Sequence, residues 1–313
     1  MKKKKPYGAT LKDQLKAAAR DRIHPFILAD GQVRGAILHG TRMISEMRAN
    51  HALGILETLV LGHAYLAAGL MSGNCKGNDR IRLQIDCSGP IRGLVVEANA
   101  FGEVRGYLKT AVIAVEKPLE SFNLSPFFGA GILSVTRYLE DSKQPFTGQV
   151  ALQYGTIAKD LAHYHLTSEQ IPTAFTLSIQ FDQDGEVAGA GGLWLQALPG
   201  ANQDAVARLE QQVPAMPSLG AAFHARREPK SLVTEAFGAF KPQFLGDYRV
   251  EFMCHCSRGK TRNVLGMLPA AELADIRQNG PFPLEMRCHY CGSPYLFHPA
   301  DIEALYQHRT ARG

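Results

Sequence analysis

Two short cysteine pairs near the C-terminal end constrain the fold of this chain more than any other feature. The first pair is Cys254 and Cys256, the second is Cys288 and Cys291, and 31 residues separate the pairs. Four thiolates can close a tetrahedron around zinc, which imposes no directional preference of its own. The sequence therefore predicts a zinc site with these four cysteines as ligands. The spacing alone does not distinguish iron from zinc.

A redox-active dithiol of the thioredoxin type is an alternative chemistry for the second pair. Such a site needs its C-x-x-C at a helix N-terminus, where the helix dipole stabilises a thiolate. Here Gly292, Ser293 and Pro294 follow Cys291, which predicts a turn and then an extended segment. This pattern argues against the dithiol. A purely structural zinc finger stays open.

Other candidate ligands lie near the pairs or far upstream. His255, His289 and His298 are close in sequence, but four thiolates leave no vacancy for them, so we expect them at the surface or beside the ligands without binding the metal. Cys75 and Cys87 match no ligand spacing. A lone cysteine is most often a small buried hydrophobic residue, which is our expectation for both.

Strand and helix patterns alternate irregularly over the first two thirds of the chain. Residues 81–87, IRLQIDC, alternate apolar and polar side chains as a half-buried strand does. Mixed elements without a strict strand–helix repeat favour an α+β fold. The predicted strands are residues 32–38, 81–87, 91–98, 149–154 and 174–181, and the predicted helices are residues 52–71 and 157–166.

The run of residues 52–71 is long and apolar enough to raise the question of a membrane span. Glu57 and His63 interrupt it, so a buried core helix is expected and no membrane partner is predicted. No apolar stretch of an export signal follows the N-terminal lysines. The expected compartment is the reducing cytoplasm, where paired cysteines bind metal or act in redox chemistry.

Changes in composition suggest four segments. Net charge is +5, and much of it lies in the run Lys2 to Lys5, which predicts a solvated tail. Pro214, Pro217 and Pro229 interrupt helical patterns, so the third segment is expected to be a metastable linker of short helices with a thin core of its own. The segments are residues 1–25, a basic extension; 26–200, a core domain; 201–253, the linker; and 254–313, the zinc module.

Motifs of catalysis are missing from the sequence. The glycines at 129, 131, 189, 191 and 192 complete neither a dinucleotide fingerprint nor a P-loop, and neither G-x-S-x-G nor H-E-x-x-H occurs. Asp160 and Glu169 flank a helix and are predicted to be structural polar groups. The chain is therefore not expected to be an enzyme.

Several segments in a fixed order match one known family, and the chain resembles the heat shock protein 33 family of redox-regulated chaperones. The resemblance extends from about Val33 to Leu305. The matching segments are GEVRGY at residues 102–107, AKDLAHYHLTSEQ at 158–170, GGLWLQALPG at 191–200, C-x-C-S-R at 254–258 and C-x-x-C at 288–291.

The resemblance implies a holdase that works without ATP. In the reduced state the four cysteines would bind zinc and the chaperone would be inactive. Oxidation would form the disulfides Cys254–Cys256 and Cys288–Cys291, release zinc, unfold module and linker, and expose a surface for unfolding client proteins. Active members commonly form homodimers, and thioredoxin or glutaredoxin systems would reverse the switch. Candidate client contacts in the linker are Phe223, Leu232, Phe237, Phe240 and Phe244.

One departure and two alternative functions accompany this resemblance. Linkers in the family are often rich in charge, whereas residues 201–253 hold six basic and six acidic side chains and are fairly apolar. A zinc-module protein that binds RNA would need stacking aromatics on a basic surface, and Tyr290, Tyr295 and Phe297 are too few. No specific nucleic-acid partner is therefore predicted. A thiol oxidoreductase is the other alternative.

Overall fold

The computed structural model describes residues 21–115 and 123–310. The described residues form two compact units, the core unit of residues 21–253 and the cysteine module of residues 254–310. The lysine run at residues 2–5 lies outside the described residues. The first strand begins at Arg22, so residues 22–25 belong to a sheet, although the N-terminal extension was expected to reach residue 25.

The first sheet of the core unit is antiparallel and contains strands from both ends of the unit. The strands are β1 (Arg22–Leu28), β2 (Val33–His39), β8 (Thr173–Phe181), β9 (Val187–Ala197), β10 (Gln243–Phe244) and β11 (Tyr248–Arg249). Their order is β10-β1-β2-β9-β8, and β11 pairs with β1 on the same edge as β10, nearer the start of β1. Strands of the predicted linker therefore extend the sheet edge at β1.

The second sheet has the order β12-β5-β4-β3-β6-β7, and β12 pairs with β5 in parallel. Gly102 precedes β5 with a φ of +73°, and a Cβ there would lie 2.1 Å from the carbonyl oxygen of Arg249. Glycine at this position thus permits the close approach of the segment that enters β12. The strands are β3 (Arg80–Cys87), β4 (Gly93–Asn99), β5 (Glu103–Leu108), β6 (Gly131–Tyr138), β7 (Phe146–Ala151) and β12 (Glu251–Phe252).

A long apolar helix contacts strands of both sheets and forms the centre of the core unit. This helix, α2 (Ile55–Ser72), is long and apolar enough to cross a membrane, but 89% of it is buried. Glu57 accepts a hydrogen bond of 2.7 Å from the Ile113 backbone, and Tyr65 donates one of 3.0 Å to the Gly106 carbonyl. The predictions of a core helix and of an α+β fold are confirmed. The other helices before residue 200 are α1 (Thr41–His51), α3 (Ser125–Phe128) and α4 (Ile157–Ser168).

Residues 201–253 pack onto the first sheet rather than around a core of their own. Their helices are α5 (Gln203–Gln212), α6 (Leu219–His224) and α7 (Pro229–Phe237). Phe223 and Phe237 are buried in the same apolar cluster as Phe26 and Ile37 of the sheet. The prediction of a separate thin core is therefore wrong. Prolines mark the ends of these short helices, but burial against the sheet fixes where they lie.

The cysteine module contains three helices, a two-stranded hairpin and a small apolar core. Leu273, Phe297 and Ile302 are fully buried at its centre. A unit of this size buries little apolar area and ordinarily needs a metal or disulfides for stability. Its elements are α8 (Arg258–Leu265), α9 (Ala270–Asn279), β13 (Leu284–Arg287), β14 (Pro294–Phe297) and α10 (Pro299–Thr310).

Phe237→Ala should test how strongly the linker is held to the sheet. The Phe237 ring is 0% exposed, so its loss should lower the free energy of unfolding of the reduced protein by about 3 kcal/mol. Urea unfolding followed by the fluorescence of Trp194, the single tryptophan, measures this change. Phe101→Ala is the matched control, because that ring is 65% exposed. Equal stability of the two variants would contradict the packing argument.

Candidate metal centre

Each cysteine pair lies in a turn whose geometry follows from the residues beside it. Ser257 caps α8 by accepting the backbone N–H of Lys260 at 3.2 Å, so the first pair directly precedes a helix. The second pair lies in the loop of the β13–β14 hairpin. There the backbone N–H of Gly292, with a φ of +66°, donates to the carbonyl of Cys288 at 2.8 Å. Turn followed by strand is the arrangement predicted from the sequence.

The four sulfur atoms converge on one point. All Sγ atoms of Cys254, Cys256, Cys288 and Cys291 lie within 4.8 Å of one another. The distance is 3.8 Å from Cys254 to Cys288 and 3.3 Å from Cys256 to Cys291. A tetrahedral zinc site with bonds of about 2.3 Å places its sulfurs about 3.8 Å apart. The residues therefore fit a tetrathiolate metal site, and among the described residues they form the one group of this kind.

The protonation of the cluster also fits a cation. Hydrogen bonds with the thiols of Cys254 and Cys288 lower the pKa of Cys291. The pKa of Cys288 is raised, first by its hydrogen bond with Cys254 and also by burial. One sulfur thus ionises at the expense of its neighbours. Four thiolates at these distances require a positive charge between them, which a divalent metal supplies.

Two hydroxyl groups beside the sulfurs were not foreseen from the sequence. Tyr295 donates a hydrogen bond of 3.0 Å to Sγ of Cys256, and burial together with that sulfur raises the pKa of the tyrosine, so the hydroxyl keeps its proton. The hydroxyl of Ser293 lies 3.2 Å from Sγ of Cys291. Such contacts orient ligands and tune metal affinity. The one feature of the sequence that could have indicated these contacts is that both residues follow Cys291 within four positions.

The residues after Cys256 connect the ligand turn to the core of the module. Arg258 pairs with Asp301 at 2.6 Å, and its guanidinium lies 5.0 Å from the centre of the Phe297 ring. The carboxylate of Asp301 also accepts the backbone N–H of His298 at 2.9 Å. Serine and arginine of the C-x-C-S-R motif are therefore a helix cap and a packing residue.

Side chains that the sequence left outside the metal set also lie outside it in the structure. His255, His289 and His298 are exposed and do not belong to the sulfur cluster. Cys75 and Cys87 are half-buried rather than fully buried. Burial raises the pKa of Cys75 to about 11 and also raises that of Cys87, so neither thiol ionises readily.

Both candidate acids of the core unit have structural partners. Asp160 accepts three backbone N–H groups at 2.8 to 3.0 Å in the turn before α4. Glu169 binds Arg137 at 2.5 Å and His165 at 2.8 Å. These contacts account for the two carboxylates without a catalytic role.

Comparison with known proteins identifies the family. The family model for Hsp33 protein matches residues 21–298. The chain belongs to the Hsp33 family. The initial resemblance is thereby confirmed, and it extends over most of the chain. Relatives in this family are named chaperonins rather than enzymes.

Two relatives and one solved structure show how close the Hsp33 likeness is. A 33 kDa chaperonin of Desulforamulus reducens is 34% identical over 280 residues, which cover 89% of this chain and 95% of that protein. The 33 kDa chaperonin of Thermotoga maritima is 35% identical over 285 residues, covering 90% and 96%. The crystal structure of the Thermotoga maritima Hsp33 homologue matches with a TM-score of 0.85 and 33% identity, covering 93% of this chain and 99% of that one.

Cys288→Ser should disable the metal centre, because three sulfurs and a hydroxyl bind zinc far more weakly than four sulfurs. We expect less than one zinc per chain and a protease-sensitive module even in the reduced protein, since structural zinc contributes on the order of 10–16 kcal/mol to such modules. Metal analysis and limited proteolysis measure both effects. Cys87→Ser, outside the cluster, should keep its zinc. Full zinc content and unchanged protease resistance in Cys288→Ser would refute the tetrathiolate assignment.

Tyr295→Phe should weaken zinc binding without removing a ligand. The ring stays available to the module core, but the hydroxyl that donates to Cys256 is lost. Affinity measured by competition with a chelator should fall about 10- to 100-fold. Tyr306→Phe is the control, because Tyr306 packs on the same core but stacks with Arg277 instead of contacting sulfur. If both variants bind zinc equally well, the hydroxyl has no influence on the site.

Proposed function

We propose that this protein is a redox-regulated holdase chaperone that works without ATP. Family membership supports the chaperone activity, and the sulfur cluster supports control by zinc and oxidation. The observation that carries the proposal is the apolar cluster that residues 201–253 share with the first sheet. Unfolding of residues 201–253 would expose the apolar side chains of that segment and those of the sheet beneath it. Exposed apolar surface is what unfolding proteins bind.

The chemical step is oxidation of four thiolates to two disulfides. With hydrogen peroxide, the four sulfurs give up four electrons, two peroxide molecules and four protons become four water molecules, and the metal is released. Zinc bound to the reduced cluster would stabilise the folded module. Loss of the thiolates removes that stabilisation, so a unit with so small a core should unfold.

The resemblance supports the pairing Cys254–Cys256 and Cys288–Cys291. Four cysteines allow three pairings, and all four sulfurs lie within 4.8 Å of one another. The two sulfur–sulfur distances given above, 3.8 Å and 3.3 Å, each join a sulfur of the first pair to one of the second. The geometry therefore does not select the pairing. Mass spectrometry of the oxidised peptides decides it.

The covalent chain can pass the unfolding of the module to the linker. Cys254 follows Met253, whose backbone N–H bonds to the Val104 carbonyl at 3.0 Å beside the β12–β5 pair. Strand β12 has only two residues and β11 pairs with β1 through two. Such short pairings are held by few hydrogen bonds. They should open first when the segment after them loses its structure.

The remaining parts of the proposal concern partners and compartment. The oxidised form would bind unfolding proteins as a homodimer, and thioredoxin or glutaredoxin systems would return it to the reduced state. Zinc-bound thiolates need a reducing compartment, which supports a cytoplasmic location. Size-exclusion chromatography with light scattering before and after oxidation tests the dimer.

Suppression of light scattering from a heat-denatured client tests the function. The form oxidised by peroxide at raised temperature should suppress aggregation at near-stoichiometric ratios, and a thiol reductant should abolish this effect. The reduced, zinc-loaded form should not suppress it. Hydrogen exchange should show residues 201–253 losing protection on oxidation. If neither form suppresses scattering, the holdase assignment fails; turnover with glutathione would then favour an oxidoreductase, and RNA binding would favour a nucleic-acid-binding protein.

A further inference from the structure

A cavity of about 390 Å³ lies between the first sheet and the loop that joins α6 to α7. Three arginines and two histidines line it beside a single carboxylate. Volumes of this size hold small molecules. The charged and titratable lining residues are Arg22, His24, His39, Arg226, Arg227 and Glu228.

The floor of this basic cavity is one face of strands β1 and β2. Arg22 and His24 are two residues apart on β1 and so project to the same face, and His39 lies directly opposite Arg22 on β2. The His39 ring stacks on Phe223 of α6 at 4.4 Å and contacts the Thr41 hydroxyl at 3.0 Å through Nε2. Nδ1 of His24 is shielded from solvent and has no hydrogen-bond partner among the described residues. This atom therefore does not face the open volume of the cavity.

The wall of the cavity is the α6–α7 loop. Arg226 is left-handed with a φ of +60°, and its backbone N–H donates to the Phe223 carbonyl at 3.0 Å. Its side chain makes no ion pair or hydrogen bond within the described part of the chain. Together with the bond from the Arg227 N–H to the Ala222 carbonyl at 3.0 Å, this conformation caps the C-terminal end of α6 and fixes where the Arg226 side chain begins.

The charges around the cavity leave donors for an anion. Arg22 is held by Asp247 at 2.5 Å, and Arg227 is held by Glu235. Each pair engages one guanidinium nitrogen, so the other N–H groups stay available. Counting Lys230 nearby, four cations face three carboxylates. Among the described residues neither Arg226 nor Lys230 forms an ion pair, and Lys230 lies over the Phe244 ring at 5.5 Å. Three guanidiniums at one cavity repel metal cations and suit a tetrahedral oxyanion, which accepts paired N–H groups.

We propose that the basic cavity binds a phosphate group, either inorganic phosphate or the phosphate of a small metabolite. Arg226 would be the principal contact, with Arg22 and Arg227 as further donors.

A regulatory consequence follows, and it rests on the proposed function. The floor of the cavity belongs to the sheet, whereas its wall belongs to the segment that must unfold for activity. The site exists only while the linker is docked. Bound phosphate therefore stabilises the docked state by mass action and raises the oxidation needed for activation.

Calorimetric titration of the reduced, zinc-loaded full chain tests the site. The probes are sodium phosphate and, separately, AMP, at ionic strength matched with sodium chloride. Arg226→Gln should bind about tenfold more weakly than the unmodified protein, and Arg226→Lys should lie between them. Arg92→Gln is the matched control, because Arg92 is also an exposed, left-handed arginine (φ +60°) and lies in the turn before β4 of the second sheet. Tighter binding of AMP than of phosphate would identify a metabolite as the source, and equal binding would identify free phosphate.

Absence of saturable binding by either probe, or equal binding by Arg226→Gln and Arg92→Gln, overturns the site. Hydrogen exchange then tests the regulation: phosphate should slow exchange in residues 219–237 of the unmodified protein but not of Arg226→Gln. Unchanged exchange despite binding would overturn the regulatory role. Both measurements use reduced protein without a client, so failure of the holdase test leaves them intact, and their failure leaves the holdase assignment intact.

Discussion

Four sulfur atoms within 4.8 Å of one another cannot all carry negative charge unless a cation lies among them. The opposite pKa shifts of Cys288 and Cys291 express this conflict. The module is built to bring the four sulfurs around such a cation. A helix cap at Ser257 fixes one cysteine turn, a hairpin fixes the other, and Tyr295 donates a hydrogen bond to sulfur. With so small an apolar core, the metal is expected to decide whether this unit is folded.

The linker depends on a different force, the burial of apolar side chains. Phe223 and Phe237 share a cluster with the sheet that the first strands build. The linker is therefore packed as part of the core unit, and under the proposed function its detachment would open two apolar surfaces. A segment of balanced charge and considerable apolar content suits this proposed role, since its apolar side chains would stabilise the docked state and would be available to client proteins once exposed. The basic cavity lies at the same junction, between the sheet and the α6–α7 loop.

The sequence predicts some levels of this structure better than others. Cysteine spacing sufficed to group the four sulfurs that converge, because two cysteines in one turn are a local feature. Period-two alternation located strands such as Arg80–Cys87. The packing of residues 201–253 was misjudged, because prolines report where helices end but not what they pack against. Two-residue strands such as Glu251–Phe252 carry no periodicity at all. Tyr295 and Ser293 were missed as partners of sulfur, because a hydroxyl group in a turn has no distinctive pattern.

One residue, Met253, separates the last strand of the core unit from the first sulfur ligand. A longer flexible connection would allow the module to unfold without disturbing the hydrogen bonds of the sheet. Here the connection is a single residue, and the N–H of Met253 itself bonds to the edge of that sheet. If the proposed oxidation unfolds the module, the first core-unit hydrogen bond next to the change is therefore the one made by Met253, directly beside Cys254.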